Sequence, residues 1–307
     1  MNIPVANCSS CGACVNACAC GAISMRQDSE GFFRPIIESE KCISCGACER
    51  ACPWMHSVVN PNNAKAVPET FAAYAKKDSV RMKSSSGGIF TVLAEKILDE
   101  GGVVVGVAQT ESKKFRHVVV KEKTELVKLR GSKYVQADAG FIYKAVRDLL
   151  KQGHKVLFSG TPCQVAALYS VLGKTEYPHL FTVDIVCHGT PSVKVFEKYI
   201  DEIENSQSAR VLSTSFRDKR KGWRLFSMTS SLSSLNGDNY QIAKTLREDK
   251  FMRVFLQNIC LNLSCSDCKY AKLPRIADIT LGDYWNIAKI HPEMDDDTKL
   301  YNYFLGL

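Results

Sequence analysis

The sequence predicts a small α+β domain followed by a larger α/β domain whose sheet is mainly parallel or mixed. Three observations lead to this prediction: two N-terminal cysteine runs of identical spacing, a polar segment after them, and then alternating apolar strands and amphipathic helices. With 307 residues, of which 45% are hydrophobic and 23% charged, the chain has ordinary globular composition. Its length suits about two domains.

Each N-terminal run has the spacing Cys-x2-Cys-x2-Cys-x3-Cys, and Pro53 directly follows the second run. This repeat is typical of bacterial ferredoxins with two [4Fe-4S] clusters, in which the fourth cysteine of each run binds the other cluster. Two zinc sites are the alternative, which the doubled spacing disfavours. The predicted ligands of the first cluster are Cys8, Cys11, Cys14 and Cys52. The predicted ligands of the second cluster are Cys42, Cys45, Cys48 and Cys18.

The segment between the runs predicts a β-hairpin, because residues 22–25 and 32–37 flank a polar turn at 27–31. This arrangement fits a ferredoxin-like dicluster domain at residues 1–56. Cys20 stands after Ala19, where a proline is usual, and we expect it to be a small packed residue rather than a ligand. Residues 57–70, rich in Asn and Pro, are a predicted linker to a domain at 71–307.

The second domain alternates predicted strands with predicted helices. The strands are expected at 71–75, 103–108, 115–120, 156–158 and 181–186. The helices are expected from 84–88 through 98, at 138–150, at 165–172 and at 193–203. Neither a P-loop nor a dinucleotide-binding glycine fingerprint after a strand occurs.

Four cysteines of the second domain predict a third metal site. Cys163 follows a strand-to-helix turn, Cys187 ends a strand, and Cys265 and Cys268 form a Cys-x2-Cys pair. Strand ends are where α/β folds bind ligands, so the four thiolates are expected to hold a third cluster. The alternative is that Cys163 and Cys187 are buried small residues and that the pair binds zinc or nothing. Cys260, in an apolar helical pattern, is expected in the core.

Three polar segments are further candidates for ligand binding. Residues 84–88 offer hydroxyls and free N–H groups at a helix start, which suits a phosphate, although a plain helix cap is the alternative. Residues 131–134 add Lys133 as a cation and Tyr134 as an aromatic wall. The basic run 217–224 around Trp223 is either a solvated loop or a site for an acidic ligand.

The formal net charge of +8 does not favour nucleic-acid binding. Each [4Fe-4S] cluster with four thiolates carries about −2, so three clusters would leave a net charge of about +2. No charged segment followed by an apolar one opens the chain, so secretion is not expected. The uncharged stretch 156–173 is interrupted by a turn, so no membrane span is predicted there. Cysteine-rich chains without a signal are expected to be cytoplasmic.

With these motifs placed, the chain resembles the coenzyme F420 hydrogenase/dehydrogenase beta-subunit family, in its form with an N-terminal dicluster ferredoxin domain. The resemblance extends to about residue 297. The matching segments are SSGG at 85–88, GSKY at 131–134, GTPCQ at 160–164, CHG at 187–189, CSDC at 265–268 and DITLGDYW at 278–285.

The resemblance implies FAD and a further iron–sulfur cluster in the second domain. The residues it places at the flavin are Ser86, Gly87, Gly88, Lys133, Tyr134 and Thr161. Because family members continue well beyond the DITLGDYW segment, it also implies that the second domain is C-terminally truncated.

These expectations define an iron–sulfur flavoprotein oxidoreductase that transfers electrons between a hydride-donating coenzyme, such as a deazaflavin, and a redox partner protein or subunit. A flavin suits this role because it accepts a hydride and releases single electrons. Arg217, Lys219, Arg220 and Lys221 would then bind the acidic tail of the deazaflavin. The alternatives are a non-catalytic electron-transfer subunit and a zinc-bearing interaction module.

Overall fold

The N-terminal domain consists of two short helices and a hairpin in the computed structural model, which describes residues 5–60, 68–173, 175–294 and 302–306. Its elements are α1 (Ala13–Ala17), β1 (Ile23–Gln27), β2 (Phe33–Ile37) and α2 (Ala47–Arg50). β1 and β2 pair antiparallel, as predicted. Gly12 and Gly46 precede the two helices with φ values of 79° and 68°, a conformation that glycine adopts without strain.

A seven-stranded mixed sheet forms the centre of the second domain. Its strand order is β3 (Glu69–Ala73), β12 (Asn302–Gly306), β11 (Ile279–Asp283), β7 (Leu180–Ile185), β6 (Val156–Ser159), β4 (Val103–Glu111) and β5 (Lys114–Val120). The central strands β11, β7, β6 and β4 run parallel. The outer strands pair antiparallel, so the predicted mixed α/β sheet is confirmed.

Four longer helices match the predicted ones. The helices of the second domain are α3 (Asp78–Met82), α4 (Ile89–Asp99), α5 (Ile142–Lys151), α6 (Pro162–Leu172), α7 (Val193–Gln207), α8 (Lys250–Leu256) and α9 (Ile287–Ile290). α5 begins four residues later than predicted, because the main chain of Asp138 pairs with β5 instead of starting a helix. α6 begins with a capping box in which Thr161 and Gln164 exchange hydrogen bonds.

A three-stranded antiparallel sheet that the sequence analysis did not predict follows α7. It consists of β8 (Ala209–Asp218), β9 (Ser227–Ser234) and β10 (Asn239–Thr245). β9 has the sequence SMTSSLSS, whose many serines weaken the apolar alternation that signals a strand. The sheet packs on α7 and α8 through an aromatic cluster that includes Phe196, Phe216 and Phe251.

The two domains share buried surface. Cys11 and Ala13 belong to the same buried cluster as Tyr143 of α5 and Phe158 of β6. In the segment predicted as a linker, Asn60 is buried and donates to the Asp278 carboxylate at 2.9 Å. β3 begins at Glu69, and residues 61–67 lie outside the described residues. The domain boundaries themselves stay a prediction.

Candidate redox centres and cofactor cleft

Cysteines of the two N-terminal runs lie close to one another across the runs. Burial, followed by repulsion from Cys8, raises the pKa of Cys11 to about 12. Cys52 also acts on the thiols of Cys8, Cys11 and Cys14, which places it with the first run despite its position in the second. Cys18 correspondingly acts on Cys48, with which it shares a buried cluster. The positions of Cys52 and Cys18 agree with the predicted crossed sets, which stay a prediction for the remaining ligands.

Main-chain N–H groups point at sulfur in both predicted sets. The Ser10 amide donates to Cys8 Sγ at 3.3 Å, and the Ala22 amide donates to Cys18 Sγ at 3.2 Å. Such bonds favour the thiolate over the thiol. Buried thiols must nevertheless lose their protons to bind iron, so metal binding at these sites is coupled to proton release.

Cys20 is exposed, so the expectation that it is a packed residue is wrong. Residues 19 and 20 form a surface turn that continues into Gly21 with a φ of 65°, and this turn directs Cys20 away from the core. Its Sγ lies 3.6 Å from Cys18 Sγ.

The four cysteines predicted for a third cluster also lie together. Cys163 is acted on by Cys187 and Cys265, and Cys187 by Cys265 and Cys268. Burial is the largest influence on both, and it raises the pKa of Cys187 to about 12. The Thr190 amide donates to Cys265 Sγ at 3.3 Å. Cys260 is half-buried rather than in the core, because α8 ends at Leu256, before it.

No three histidine, cysteine or acidic side chains in the described ranges are arranged to hold a single metal ion. A cubane places different demands on its ligands, because each thiolate binds a different iron and the four sulfurs are therefore spread around the cluster.

An arginine that the sequence analysis missed fixes the strand end and the loop of the third group. Arg275 donates to the carbonyls of Tyr270 and Ile185, at 2.9 and 3.1 Å. It also pairs with the buried carboxylate of Asp184 at 3.1 Å. Burial raises the pKa of Asp184 to about 6, although Arg275 opposes this shift. No motif marks Arg275, since the carboxylate of Asp184 and the carbonyl of Ile185 that it binds lie about 90 residues away in sequence.

The third cysteine group directly adjoins the first. The Tyr270 hydroxyl donates to the Pro53 carbonyl at 2.8 Å, next to Cys52. The Tyr143 hydroxyl donates to the Cys11 carbonyl at 2.7 Å. Cys11 in turn acts electrostatically on Cys163. The three cysteine groups therefore form a continuous series from the second domain into the first.

A cleft of about 290 Å³ opens beside this series. Five of the six residues predicted to contact a flavin line it, namely Ser86, Gly88, Lys133, Tyr134 and Thr161. Gly87 is not part of its described lining, and the Gly87 carbonyl instead accepts the Ala75 amide at 2.7 Å. Cys163 lines the cleft as well, as do Ser9 and Ser10 between the first two cysteines.

The wall of the cleft carries buried polar atoms without partners. Ser86 Oγ and Gln136 Oε1 have no hydrogen-bond partner in the described part of the chain. α4 points its N-terminus at this wall, and its cap Gly88 has a φ of 88°. A Cβ at Gly88 would lie 3.1 Å from Ala75 Cβ, so both conformation and space favour glycine there.

Lys133 and Tyr134 line the cleft in a segment that lies beside residues 84–88, since the Ser132 amide donates to Ser85 Oγ at 2.6 Å. Lys133 Nζ donates to the carbonyls of Leu129 and Arg130 at 2.7 and 2.8 Å. A lysine ammonium has three N–H donors, so one is left for an acceptor in the cleft. Burial lowers the pKa of Lys133 to about 7. The Tyr134 ring stacks on Phe255 with the centroids 4.7 Å apart.

The basic run after β8 is largely engaged within the protein. Arg217 is buried, lines the cleft and pairs with Asp283 at 2.5 Å. Lys219 Nζ is also buried and donates to the Arg81 and Ser86 carbonyls. Arg220 is exposed and pairs with Asp218, and Lys221 is exposed as well. A purely solvated loop is therefore wrong for this segment, and most of the cations expected to bind an acidic tail are occupied.

The helices within the described ranges are all too short or too polar to cross a membrane.

Fold and site together define an iron–sulfur redox protein with a cleft in its α/β domain. A family model described as the 4Fe-4S dicluster domain matches residues 7–55. Models for the N-terminal and C-terminal parts of the coenzyme F420 hydrogenase/dehydrogenase beta subunit match residues 70–140 and 153–300. The chain belongs to this beta-subunit family, as the sequence motifs indicated, and it is an iron–sulfur electron-transfer protein.

No curated protein matches the chain. Among solved structures, the chain is similar to a protein in the xenon-derivatised F420-reducing [NiFe] hydrogenase complex from Methanosarcina barkeri. The identity is 17% and the TM-score is 0.49, over 81% of this chain and 77% of the other.

Proposed function

We propose that this protein is an oxidoreductase that takes a hydride from a reduced coenzyme at a flavin in the cleft and passes the electrons singly to its iron–sulfur clusters. The observation that carries the proposal is the lining of the cleft, which combines the predicted flavin residues with Cys163 and with Ser9 and Ser10. A cofactor in this cleft would lie against a predicted cluster ligand on one side and the first cysteine run on the other.

The residues present fit FAD. Ser86 Oγ and Gln136 Oε1 offer unused hydrogen-bonding atoms, and the start of α4 offers N–H groups and positive potential for a pyrophosphate. The free N–H of Lys133 would donate to a phosphate oxygen. A bound flavin supplies a centre that accepts two electrons as a hydride and gives them up one at a time.

All twelve predicted ligands take part in the proposed path. Cys163, Cys187, Cys265 and Cys268 would hold the cluster next to the cleft. The first crossed set, Cys8, Cys11, Cys14 and Cys52, would receive electrons from it, because Cys11 neighbours Cys163. The second crossed set, Cys18, Cys42, Cys45 and Cys48, lies last. Each cluster accepts one electron, so the pair of electrons from one hydride separates after the flavin.

The family suggests the chemistry of both partners. A deazaflavin such as coenzyme F420 would be the hydride donor, and a redox subunit or protein would accept the electrons. The chain's own contribution would be to hold the cofactor that faces the donor and to keep water from the buried thiols, those of Cys11, Cys14, Cys18 and Cys48.

Flavin retention tests the proposal most simply. Clusters are reconstituted, FAD is added, and the bound fraction is measured after desalting for wild type and for Lys133→Met. The variant should bind FAD about tenfold more weakly, which equals the loss of one charge-assisted hydrogen bond. Lys128→Met is the matched control, since Lys128 is exposed and pairs with Glu125 outside the cleft.

Equal retention in wild type and Lys133→Met would place the flavin elsewhere. Clusters that assemble without any flavin retention in wild type would indicate a relay subunit that turns over no coenzyme itself.

A further inference from the structure

A second cleft, about 480 Å³ in volume, lies between the N-terminal domain and helices α5 and α6. Residues of α1 and α2 form one side, and residues of α5 and α6 form the other. Three cationic side chains line it, Arg50, Lys144 and Arg147, and no acidic side chain belongs to its described lining.

The positive charge in this cleft is not neutralised by any described carboxylate. Arg50 Nη1 donates to the Cys45 carbonyl at 3.0 Å, and Lys144 Nζ donates to the Cys18 carbonyl at 3.2 Å. Arg147 Nε is buried and has no hydrogen-bond partner among the described residues. Cations gathered in a cleft attract an acidic surface and raise its rate of association.

The cleft adjoins the second N-terminal cluster of the proposed path. Arg50 and Lys144 donate to the carbonyls of Cys45 and Cys18. Both cysteines are predicted ligands of that cluster. Cys45 is exposed, and Ile43 in the same loop is 71% exposed. This face therefore offers an apolar residue, a predicted cluster ligand and unpaired cations side by side, which is the composition of a protein interface with a polar rim.

We propose that this cleft docks an electron-transfer protein with an acidic surface, and that electrons leave the chain through the second N-terminal cluster here. The inference rests on the proposed function for the source of the electrons. One hydride donor loses two electrons and one proton, two molecules of a one-electron carrier would each be reduced by one electron, and the proton would pass to solvent. A small anion would neutralise the cations but would leave Ile43 and Cys45 uncovered, so a protein surface fits better.

A charge reversal at Arg147 tests the docking site in the full-length, cluster-loaded protein. A labelled acidic [2Fe-2S] ferredoxin is the probe, and its affinity is measured without any hydride donor. Arg147→Glu should raise the Kd about tenfold at low ionic strength, and the difference should shrink in about 0.5 M salt as screening shortens to a few ångströms. The control is Lys151→Glu, the same charge change at an exposed position on α5 outside the cleft. It should change the Kd less than about twofold.

Unchanged affinity in Arg147→Glu, or no ferredoxin binding by wild type, would overturn the proposal. Saturable binding of inorganic phosphate that Arg147→Glu abolishes, without ferredoxin binding, would show a small-anion site instead.

Electron transfer separates this inference from the proposed function. Arg147→Glu should slow reduction of the ferredoxin but not of menadione, an uncharged small acceptor. Equal slowing of both would place Arg147 in the internal path and contradict docking. If wild type binds the ferredoxin through Arg147 but a hydride donor reduces neither acceptor, the docking site stands and the proposed function fails.

Discussion

At the residue scale, burial of the His117 imidazole lowers the pH at which it takes up a proton. It lies on β5 and stacks on Phe158, with the ring centroids 5.4 Å apart. Burial lowers its pKa to about 4, against main-chain contacts with Asp138 and Ser159 that favour the protonated form. The unfolded chain has the ordinary histidine pKa of about 6.5, so between these values it binds more protons than the folded chain.

His117→Phe should therefore flatten the pH dependence of stability. Wild type should lose up to about 3 kcal/mol of unfolding free energy as the pH falls from 7.5 to 4, whereas the variant lacks this contribution. Denaturant unfolding at pH 7.5 and pH 5 measures the difference, and the clusters are common to both proteins. Equal slopes in the two proteins would mean that His117 is not held neutral.

Iron content distinguishes the predicted cluster ligands from Cys20. If three cubanes assemble, wild type should hold about 12 iron atoms per chain, and Cys45→Ser should hold about 8. Cys20→Ser should retain the wild-type content, because its thiol is exposed and lies outside both crossed sets. Iron loss in Cys20→Ser, or none in Cys45→Ser, would show that the ligands of the second cluster are assigned wrongly.

At the element scale, the turn between β1 and β2 joins the N-terminal domain to α7. Gly31 has a φ of 86°, and a Cβ there would lie 2.7 Å from the Lys194 amide nitrogen. The Gly31 carbonyl accepts the Val193 amide at 3.2 Å, and Ser192, the cap of α7, donates to the Glu30 carbonyl at 2.5 Å. A side chain at this turn would force the two elements apart.

Gly31→Ala should destabilise the protein by about 3 kcal/mol, through backbone strain and the clash with α7. Gly21→Ala is the matched control, because Gly21 has a φ of 65° but no atom within 4 Å of its Cβ position. It should cost only about 1 kcal/mol. Chemical denaturation compares the two, and equal losses would mean that the turn does not pack tightly on α7.

The sequence predicts an element correctly where the local pattern of apolar residues matches the way that element packs in the fold. Continuous apolar runs predict the strands β4 and β6, which are buried in the parallel centre of the sheet. β9 does not, because its buried serines and threonine, such as Ser227 and Thr229, are polar residues placed in a sheet by their neighbours. β12 inserts between β11 and β3, a pairing across more than 200 residues that no local pattern encodes.

In the candidate site, too, some features could be predicted from the sequence and others could not. Cysteine spacing predicts crossed sets because ligand geometry restricts the loop between ligands, and the structure places Cys52 beside the first run and Cys18 beside Cys48. Arg275 and Gln136 could not be predicted, because their roles depend on main-chain atoms and cavities that exist only after folding. The burial of Arg217 and Lys219 in the basic run 217–224 could not be predicted for a similar reason. Arg217 pairs with a carboxylate and Lys219 donates to carbonyls, all on distant segments.

At the scale of the whole molecule, the N-terminal domain covers the ends of α5 and α6 and completes the cofactor cleft. Ser9 and Ser10 line the cleft together with Thr161 and Cys163. The Asn262 side chain donates to the Cys8 carbonyl at 3.1 Å, which ties the segment before Cys265 to the first run. The cleft and the three cysteine groups therefore depend on the docking of both domains.

The central claim is that electrons pass from the cleft through the Cys163 group to the N-terminal clusters. The most direct measurement is anaerobic stopped-flow absorbance, with EPR on quenched samples, after reduced deazaflavin is mixed with the reconstituted protein. In wild type and in the control Cys260→Ser, flavin and N-terminal clusters should both become reduced. In Cys163→Ser the flavin should become reduced while the N-terminal clusters stay oxidised. Equally fast reduction of the N-terminal clusters in Cys163→Ser would contradict the path.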